Sequence, residues 1–445
     1  MKTLTTLMLP IKSRMKRMTY LSLMAVMVAA CGCLWSCSTS SHALKNKVWV
    51  DMMSEKKPIQ LTEAQRVFVK DNNAFTLNFM KAVSEADHSG KSFIFSPLSI
   101  TYLLAMVNNA AGGATEQELE QTLGFSEGGM QAMNEYCRNL INNMPKVDEK
   151  VELNIANAIF LNMGYQLKEQ FKQDMQEYFH ANAEVLDFSS KKAVSHINNW
   201  CNKETKGLIP SITSSVDPDA VSYLLNAIYF KADWTKKFDP QNTKEETFTT
   251  EKGRREMPMM HQNVLIDYVK NDTYAAIDIP YGNKLWCMTV MLPEEGNNTD
   301  DIIQLLSQTG WGTAQHQSLM KGMTAYKVDL KLPRYETSSD TDNLENGLQG
   351  LLENLGIRQV FNPKCMDIVN MCDRPVYVNM IRQKAMIKVN EEGTEAAAVT
   401  ASGVLGGAAV DLTPRATFHA NRPFVYVIRE LSSGVILFVG KFTGE

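Results

Sequence analysis

The chain has 445 residues, 44% of them hydrophobic, and a formal net charge of −4. That length and apolar content can close a large core without disulfide or metal staples. The nearly neutral balance excludes the basic footprint of a nucleic-acid binder.

Lys12, Arg14, Lys16 and Arg17 precede an apolar run over residues 20–30. The run is too short to span a bilayer and suits the core of a signal peptide. It ends Val28-Ala29-Ala30-Cys31, which resembles a bacterial lipobox: small residues admit the signal peptidase, and the cysteine becomes the lipidated first residue. Cys37, after Leu34-Trp35-Ser36, is the alternative lipid site, weakened by the bulky Trp35. The expected division is a lipoprotein-type signal peptide over 1–30, an anchor and polar spacer over 31–70, and a folded domain over 71–445. The protein is thus expected to be exported and membrane-anchored, periplasmic or at the cell surface, with a plain secreted form as the alternative. Once Cys31, Cys33 and Cys37 are set aside, five cysteines without paired spacing remain and read as free or buried thiols.

In the body, Asp71 or Asn72 can cap a helix that carries Phe75, Phe79 and Val83 on one face. Ser96-Pro97 supplies a capping serine and a first-turn proline for a helix that is apolar nearly all round through residue 111, the pattern of a core helix. Thr115 with Glu118 predicts a capping box for a short helix closed by Gly124. Over residues 127–145 Arg138 is the one basic residue, so a polyanion such as heparin has little to hold there. Ile277, Ile279 and Tyr281 alternate before a Gly282-Asn283 turn, and residues 285–292 form an apolar run suited to a strand covered on both faces. Two further strand patterns flank Ser432-Ser433-Gly434. Helices interspersed with mostly antiparallel strand pairs predict an α+β fold.

Residues 391–412 stand apart. Between Glu395 and Asp411 there is no charge, no proline and no aromatic side chain, which is unusual for a loop. Such small residues can occupy two settings, outside as a mobile ligand or inside a sheet as an extra strand that does not overpack it. A flexible Gly/Ala linker is the plainer reading, opposed by the core-strand patterns on either flank, 385–390 and 422–428. Asn390-Glu391-Glu392-Gly393-Thr394-Glu395-Ala396-Ala397-Ala398, followed by Phe418-His419-Ala420-Asn421-Arg422-Pro423-Phe424, resembles the hinge and C-terminal signature of the serpins. The resemblance extends upstream through Phe95-Ser96-Pro97-Leu98-Ser99-Ile100, Asn154-Ile155-Ala156-Asn157-Ala158-Ile159-Phe160, and residues 225–234, in the family's order.

An enzyme is not indicated. The sequence lacks a His-Glu-x-x-His, a Gly-x-Ser-x-Gly and a Cys-x-x-Cys motif, and Gly90-Lys91-Ser92 follows Glu85 where a phosphate loop needs glycine. No cofactor or metal is expected. What the resemblance implies is a serpin fold of three β-sheets and about nine helices with an exposed reactive-centre loop. It also implies irreversible, suicide-type inhibition of a serine endopeptidase: the protease cleaves the loop, forms an acyl-enzyme, and is trapped when the freed hinge enters the main sheet. The hinge residues are Gly393, Thr394, Glu395, Ala396, Ala397, Ala398, Val399, Thr400 and Ala401. At period two Thr394, Ala396, Ala398 and Thr400 would face one side and Glu395 the other. Carried over by position, Glu391 should pair with Arg334 near Trp234, where insertion begins. Ser96, Ser99, Asn226 and Gln383 match the polar cluster where the strands part. The family's usual loop length, counted from Gly393, puts the cleaved bond between Gly407 and Ala408, with Leu405 or Ala409 as alternative acyl donors. All are small or aliphatic, which favours elastase-like or subtilisin-like targets, with papain-like cysteine proteases as a second class. The expected partners are therefore a target protease in covalent complex and a membrane through the lipid anchor, with the protein itself a monomer. A non-inhibitory binding or carrier protein on the same fold is the alternative.

Overall fold

A computed structural model describes residues 54–365, 367–378, 380–394 and 412–445. Nine α-helices lie among the described residues. The ones used below are α1 (Glu63–Ala86), α2 (Pro97–Ala110), α3 (Gly113–Leu123), α4 (Gly129–Asn143), α5 (Glu169–Phe179) and α6 (Ala193–Glu204). The strands are β1 (Phe93–Phe95), β2 (Glu152–Asn162), β3 (Asn182–Leu186), β4 (Ser222–Asp233), β5 (Lys244–Thr250), β6 (Gly253–Lys270), β7 (Tyr274–Tyr281) and β8 (Trp286–Pro293), then β9 (Thr324–Pro333), β10 (Tyr335–Asp340), β11 (Met380–Val389), β12 (Gly393–Thr394), β13 (Arg415–His419), β14 (Phe424–Glu430) and β15 (Ile436–Phe442).

Local chemistry sets the helix starts. Ser96 accepts the Ser99 N–H at the head of α2, Pro97 fills the first turn, and every residue of the helix is buried. Gly124 closes α3 in the left-handed region, as its sequence position predicts. The start of α3 differs from expectation. Its cap is Gly112, Thr115 is buried inside the helix with its hydroxyl on Asp367, and Glu118 accepts the backbone N–H groups of Arg358 and Gln359. A tertiary partner has taken each member of the supposed capping box. The first helix also begins earlier than Asp71 or Asn72. Thr62 and Gln65 form a reciprocal capping box, and Phe68 and Val69 are buried on α1, so residues 63–70 belong to the folded body rather than to a spacer. The run Val67-Phe68-Val69 disguises this start, because Val67 points outward while its two neighbours point inward.

The described strands join into two hydrogen-bonded sheets rather than three. The larger has nine strands, running β1, β15, β14, β8, β7, β6, β9, β13, with β5 also on β6. Its size comes from β6. One end of this 18-residue strand pairs with β5, its middle with β9 and its far end with β7, so one backbone carries two of the expected sheets into a single ladder. The smaller sheet has six strands in the order β10, β11, β12, β4, β2, β3. α2 packs between the sheets, against β15 on one side and β4 on the other.

Alternation along β4 divides the core. Leu224, Ile228 and Phe230 face the main core, while Tyr223, Leu225 and Ala227 face a second cluster with Ile197 and Cys201 of α6. Both faces of β4 are covered, so β4 reads as one apolar run broken at its centre by Asn226.

Candidate functional site: the seam of the six-stranded sheet

β4 and β11 lie side by side at the centre of the smaller sheet, but they touch over only part of their length. Residues 223–227 pair directly, in parallel, with residues 380–384. At the far end the two-residue β12 lies between them, Gly393 opposite Asp233 and Thr394 opposite Ala232 on one side and Val389 on the other. Residues 228–231 and 385–388, between these zones, have no paired strand across the seam among the described residues.

The entry point is tightly built. A Cβ on Gly393 would stand 2.1 Å from the Ala232 carbonyl oxygen, so only glycine lets the chain approach β4 this closely. Thr394 is 2% exposed and its hydroxyl meets the Tyr281 hydroxyl at 2.8 Å. Tyr281 stacks on Trp234 at 4.4 Å between ring centroids, and the Trp234 indole N–H donates to the Asn390 carbonyl at 2.9 Å. The chain around the corner is held as well: Trp234 N–H donates to the Glu392 carbonyl and Phe238 N–H to the Glu391 carbonyl, each at 2.8 Å.

Glu391 and Arg334 form the ion pair expected at this corner. Arg334 grips both carboxylate oxygens, with Nε at 3.1 Å from Oε2 and Nη2 on Oε1, and the Thr243 hydroxyl adds a third bond at 2.6 Å. Burial pushes the Glu391 carboxyl up, but the bonds from Arg334 and Thr243 outweigh it and hold the group below the ordinary 4.5. The other base in the same stretch, Lys331, pairs with Glu246 instead.

At the opposite end of the seam, Ser96, Ser99 and Gln383 come together. Gln383 accepts the Ser96 N–H at 3.0 Å and donates its amide to the Ser96 carbonyl at 2.8 Å, while the Ser96 hydroxyl reaches the Leu437 carbonyl at 2.7 Å and lies 3.1 Å from that of Ser99. Asn226 pairs with Gln383 across the backbone ladder. Its side chain turns the other way, to the Asn157 amide oxygen of β2 at 2.9 Å. All four expected residues are fully buried.

Glu395, Ala396, Ala397, Ala398, Val399, Thr400, Ala401, Leu405, Gly407, Ala408 and Ala409 lie outside the described residues, as do Cys31 and Cys37. The chain returns at Leu412, 87% exposed, and runs into β13, parallel to β9. Sequence reading gave no site role to Tyr281, Thr243 or Asn157. Tyr281 reads only as the last residue of an alternating strand, and Thr243 carries no local signal. Asn157 does, being a polar residue at a core-facing position of the strand between Ile155 and Ile159.

The family model described as Serpin (serine protease inhibitor) matches residues 70–444. Serpin B6 of Macaca fascicularis is 30% identical over 385 residues, covering 85% of this chain and 99% of its own length. Neuroserpin of Homo sapiens is 28% identical over 389 residues, 84% of this chain and 90% of its own. Among solved structures, the thermophilic serpin tengpin in the native state superposes with a TM-score of 0.76 at 25% identity, covering 88% of this chain and 97% of its own. Thyroxine-binding globulin in complex with thyroxine does so with a TM-score of 0.72 at 26% identity, covering 85% of this chain and 98% of its own. The sheet order, the seam and these likenesses agree: the chain belongs to the serpin family.

Proposed function

We propose that this protein is an irreversible inhibitor of serine endopeptidases with small apolar specificity pockets, elastase-like or subtilisin-like. It would have no catalytic turnover of its own. The observation that carries the reading is the seam: Gly393 and Thr394 already occupy the first two places of a strand between β4 and β11, and beyond them residues 228–231 and 385–388 have no strand paired across the seam among the described residues.

Continuing the register of β12 gives each hinge residue a position. Glu395 would fall between Lys231 and Lys388 on the outer face. Ala396 would fall between Phe230 and Ile387 and Ala398 between Ile228 and Ala385, all four neighbours being buried. Only residues as small as alanine fit there without strain. Thr400 would arrive level with Asn226 and Gln383, the first residues beyond Ala227 and Lys384 on the directly paired stretch, so insertion past Ala398 has to unzip it.

The inhibitory chemistry then belongs to the target. Its nucleophile attacks the loop carbonyl and the leaving chain departs, giving an acyl-enzyme. The hinge, released from its far end, adds a strand whose main-chain hydrogen bonds contribute roughly 0.5–1.5 kcal/mol each. About ten such bonds amount to on the order of 10 kcal/mol, available to drag and distort the bound protease before water completes deacylation.

Pancreatic elastase and subtilisin mixed with the protein and run on denaturing gels test this reading. A covalent complex that survives SDS is expected, and mass spectrometry of the released C-terminal peptide should place the cut at Gly407–Ala408. Cleavage without complex across serine and cysteine proteases would replace the reading with that of a carrier on the same fold.

A further inference from the structure

Asp148, in the connection between α4 and β2, is a carboxylate only 1% exposed. Its Oδ1 accepts from the Lys150 N–H at 2.9 Å and from the Ser54 hydroxyl, and its Oδ2 accepts from the Asn283 N–H at 2.5 Å. Asn283 is fully buried in the Gly282-Asn283 turn between β7 and β8, and its side-chain amide donates to the Val147 carbonyl at 2.8 Å and to the Glu55 carbonyl at 3.1 Å. Gly282 has a φ of +43°, and a Cβ there would stand 2.0 Å from Asp148 Oδ2, so glycine is what lets the carboxylate reach this backbone.

The other side of the same turn carries the entry point. Gly282 N–H donates to the Asp233 carbonyl and the Thr235 hydroxyl donates to the Gly282 carbonyl, each at 2.9 Å, while Thr235 N–H donates to the Pro280 carbonyl at 2.8 Å. Trp234 and Tyr281 form an antiparallel bridge between these bonds. Asp233 lies opposite Gly393, and the Tyr281 hydroxyl meets that of Thr394. Two residues of one turn thus connect Asp148 to both hinge residues seated between β4 and β11.

We infer that Asp148 is a positioning residue for the hinge, acting through the turn that sets Asp233 and Tyr281 against Gly393 and Thr394. Removing the carboxylate leaves the buried Asn283 N–H unmatched, a costly state that a shift of the turn relieves. Such a shift carries Asp233 and Tyr281 with it, and the close approach of Gly393 to β4 tolerates little displacement. In Asp148→Asn an amide oxygen can still accept from Asn283, while the amide nitrogen faces the Ser54 hydroxyl, which accepts as readily as it donates. The consequence for trapping rests on the inhibitory reading, whereas the placement of the hinge does not.

Residue-resolved hydrogen exchange on the full chain tests this. In Asp148→Ala the N–H groups of Gly282, Trp234 and Gly393 should exchange about tenfold faster than in the wild type, the change that one buried hydrogen bond makes, while those of β3 keep their rates. Asp148→Asn should restore most of the protection. With elastase, Asp148→Ala should give a larger share of cleaved product without complex. In the wild type alone, the N–H groups of Asn283 and Trp234 should open together as dilute urea is added. Unchanged exchange at Trp234 and Gly393 in Asp148→Ala overturns the proposal, as does equal acceleration in β3. Separate openings of Asn283 and Trp234 in the wild type also overturn it, and that comparison needs no variant to fold. If the wild type forms no complex with any protease, the inhibitory reading fails, and the exchange rates still decide the role of Asp148.

Discussion

Glu391 shows how one carboxylate can report the state of the whole entry point. Its folded pKa lies below the ordinary 4.5 because Arg334 and Thr243 outweigh its burial. A depressed carboxylate contributes stability that is fully present above the unfolded value and is lost as the pH falls through the folded one. Wild type and Glu391→Gln should therefore differ in thermal midpoint by a constant amount at pH 6–8, and the gap should close as the pH drops below 4.5 toward the lowered value; a gap that widens on acidification has the wrong sign. This pair was legible in the sequence because it rests on two positions in recognisable motifs. Its third partner, Thr243, was not, since it arrives from the stretch before β5 and is brought there only by the fold. Asn226 illustrates the limit from the other side: the sequence groups it with Ser96, Ser99 and Gln383, whereas its side chain turns toward Asn157 of a neighbouring strand.

Among the elements, the hinge strand is where register makes the sharpest demands. Ala398→Arg would drive a guanidinium between Ile228 and Ala385, where an unpaired charge costs several kcal/mol. The scissile bond and the folded body would be untouched, so the protease should acylate at the normal rate and then escape. Mixed with elastase, this variant should give cleaved product and little SDS-stable complex. Glu395→Lys would set a third cation beside Lys231 and Lys388 at the outer face, and because solvent screens that face it should lower the complex yield only partly. An unchanged yield from Ala398→Arg would mean that entry of this stretch does not trap the protease. At this scale α2, the turn at Gly124 and the last hairpin were readable, because a cap, a glycine and a period each act locally. The start of α1 and the cap of α3 were misread where outward Val67 broke the helical period and where Thr115 and Glu118 answered to distant partners. The joining of two expected sheets through β6 depends on one long strand changing neighbours along its length, which no local pattern encodes.

For the molecule as a whole, the leader expected from the sequence would decide where an inhibitor acts. Among the described residues no helix is long and apolar enough to cross a membrane; the tether expected from the sequence is lipid at Cys31. Cys31→Ala should move the protein from the membrane fraction to the soluble one, and release by Cys37→Ala alone would shift the lipid to the second site. The direct pairing of β4 with β11 has a further consequence, for the order of assembly. Tyr223 and Met380 are far apart along the chain, and contacts so distant in sequence form slowly because a long loop must close first. The hinge follows β11 immediately and is covalently bound to compete for the same edge of β4. In an inhibitor of the proposed kind, whichever segment docked first would claim the seam, so folding rates as well as stability would decide whether the hinge is still free to insert.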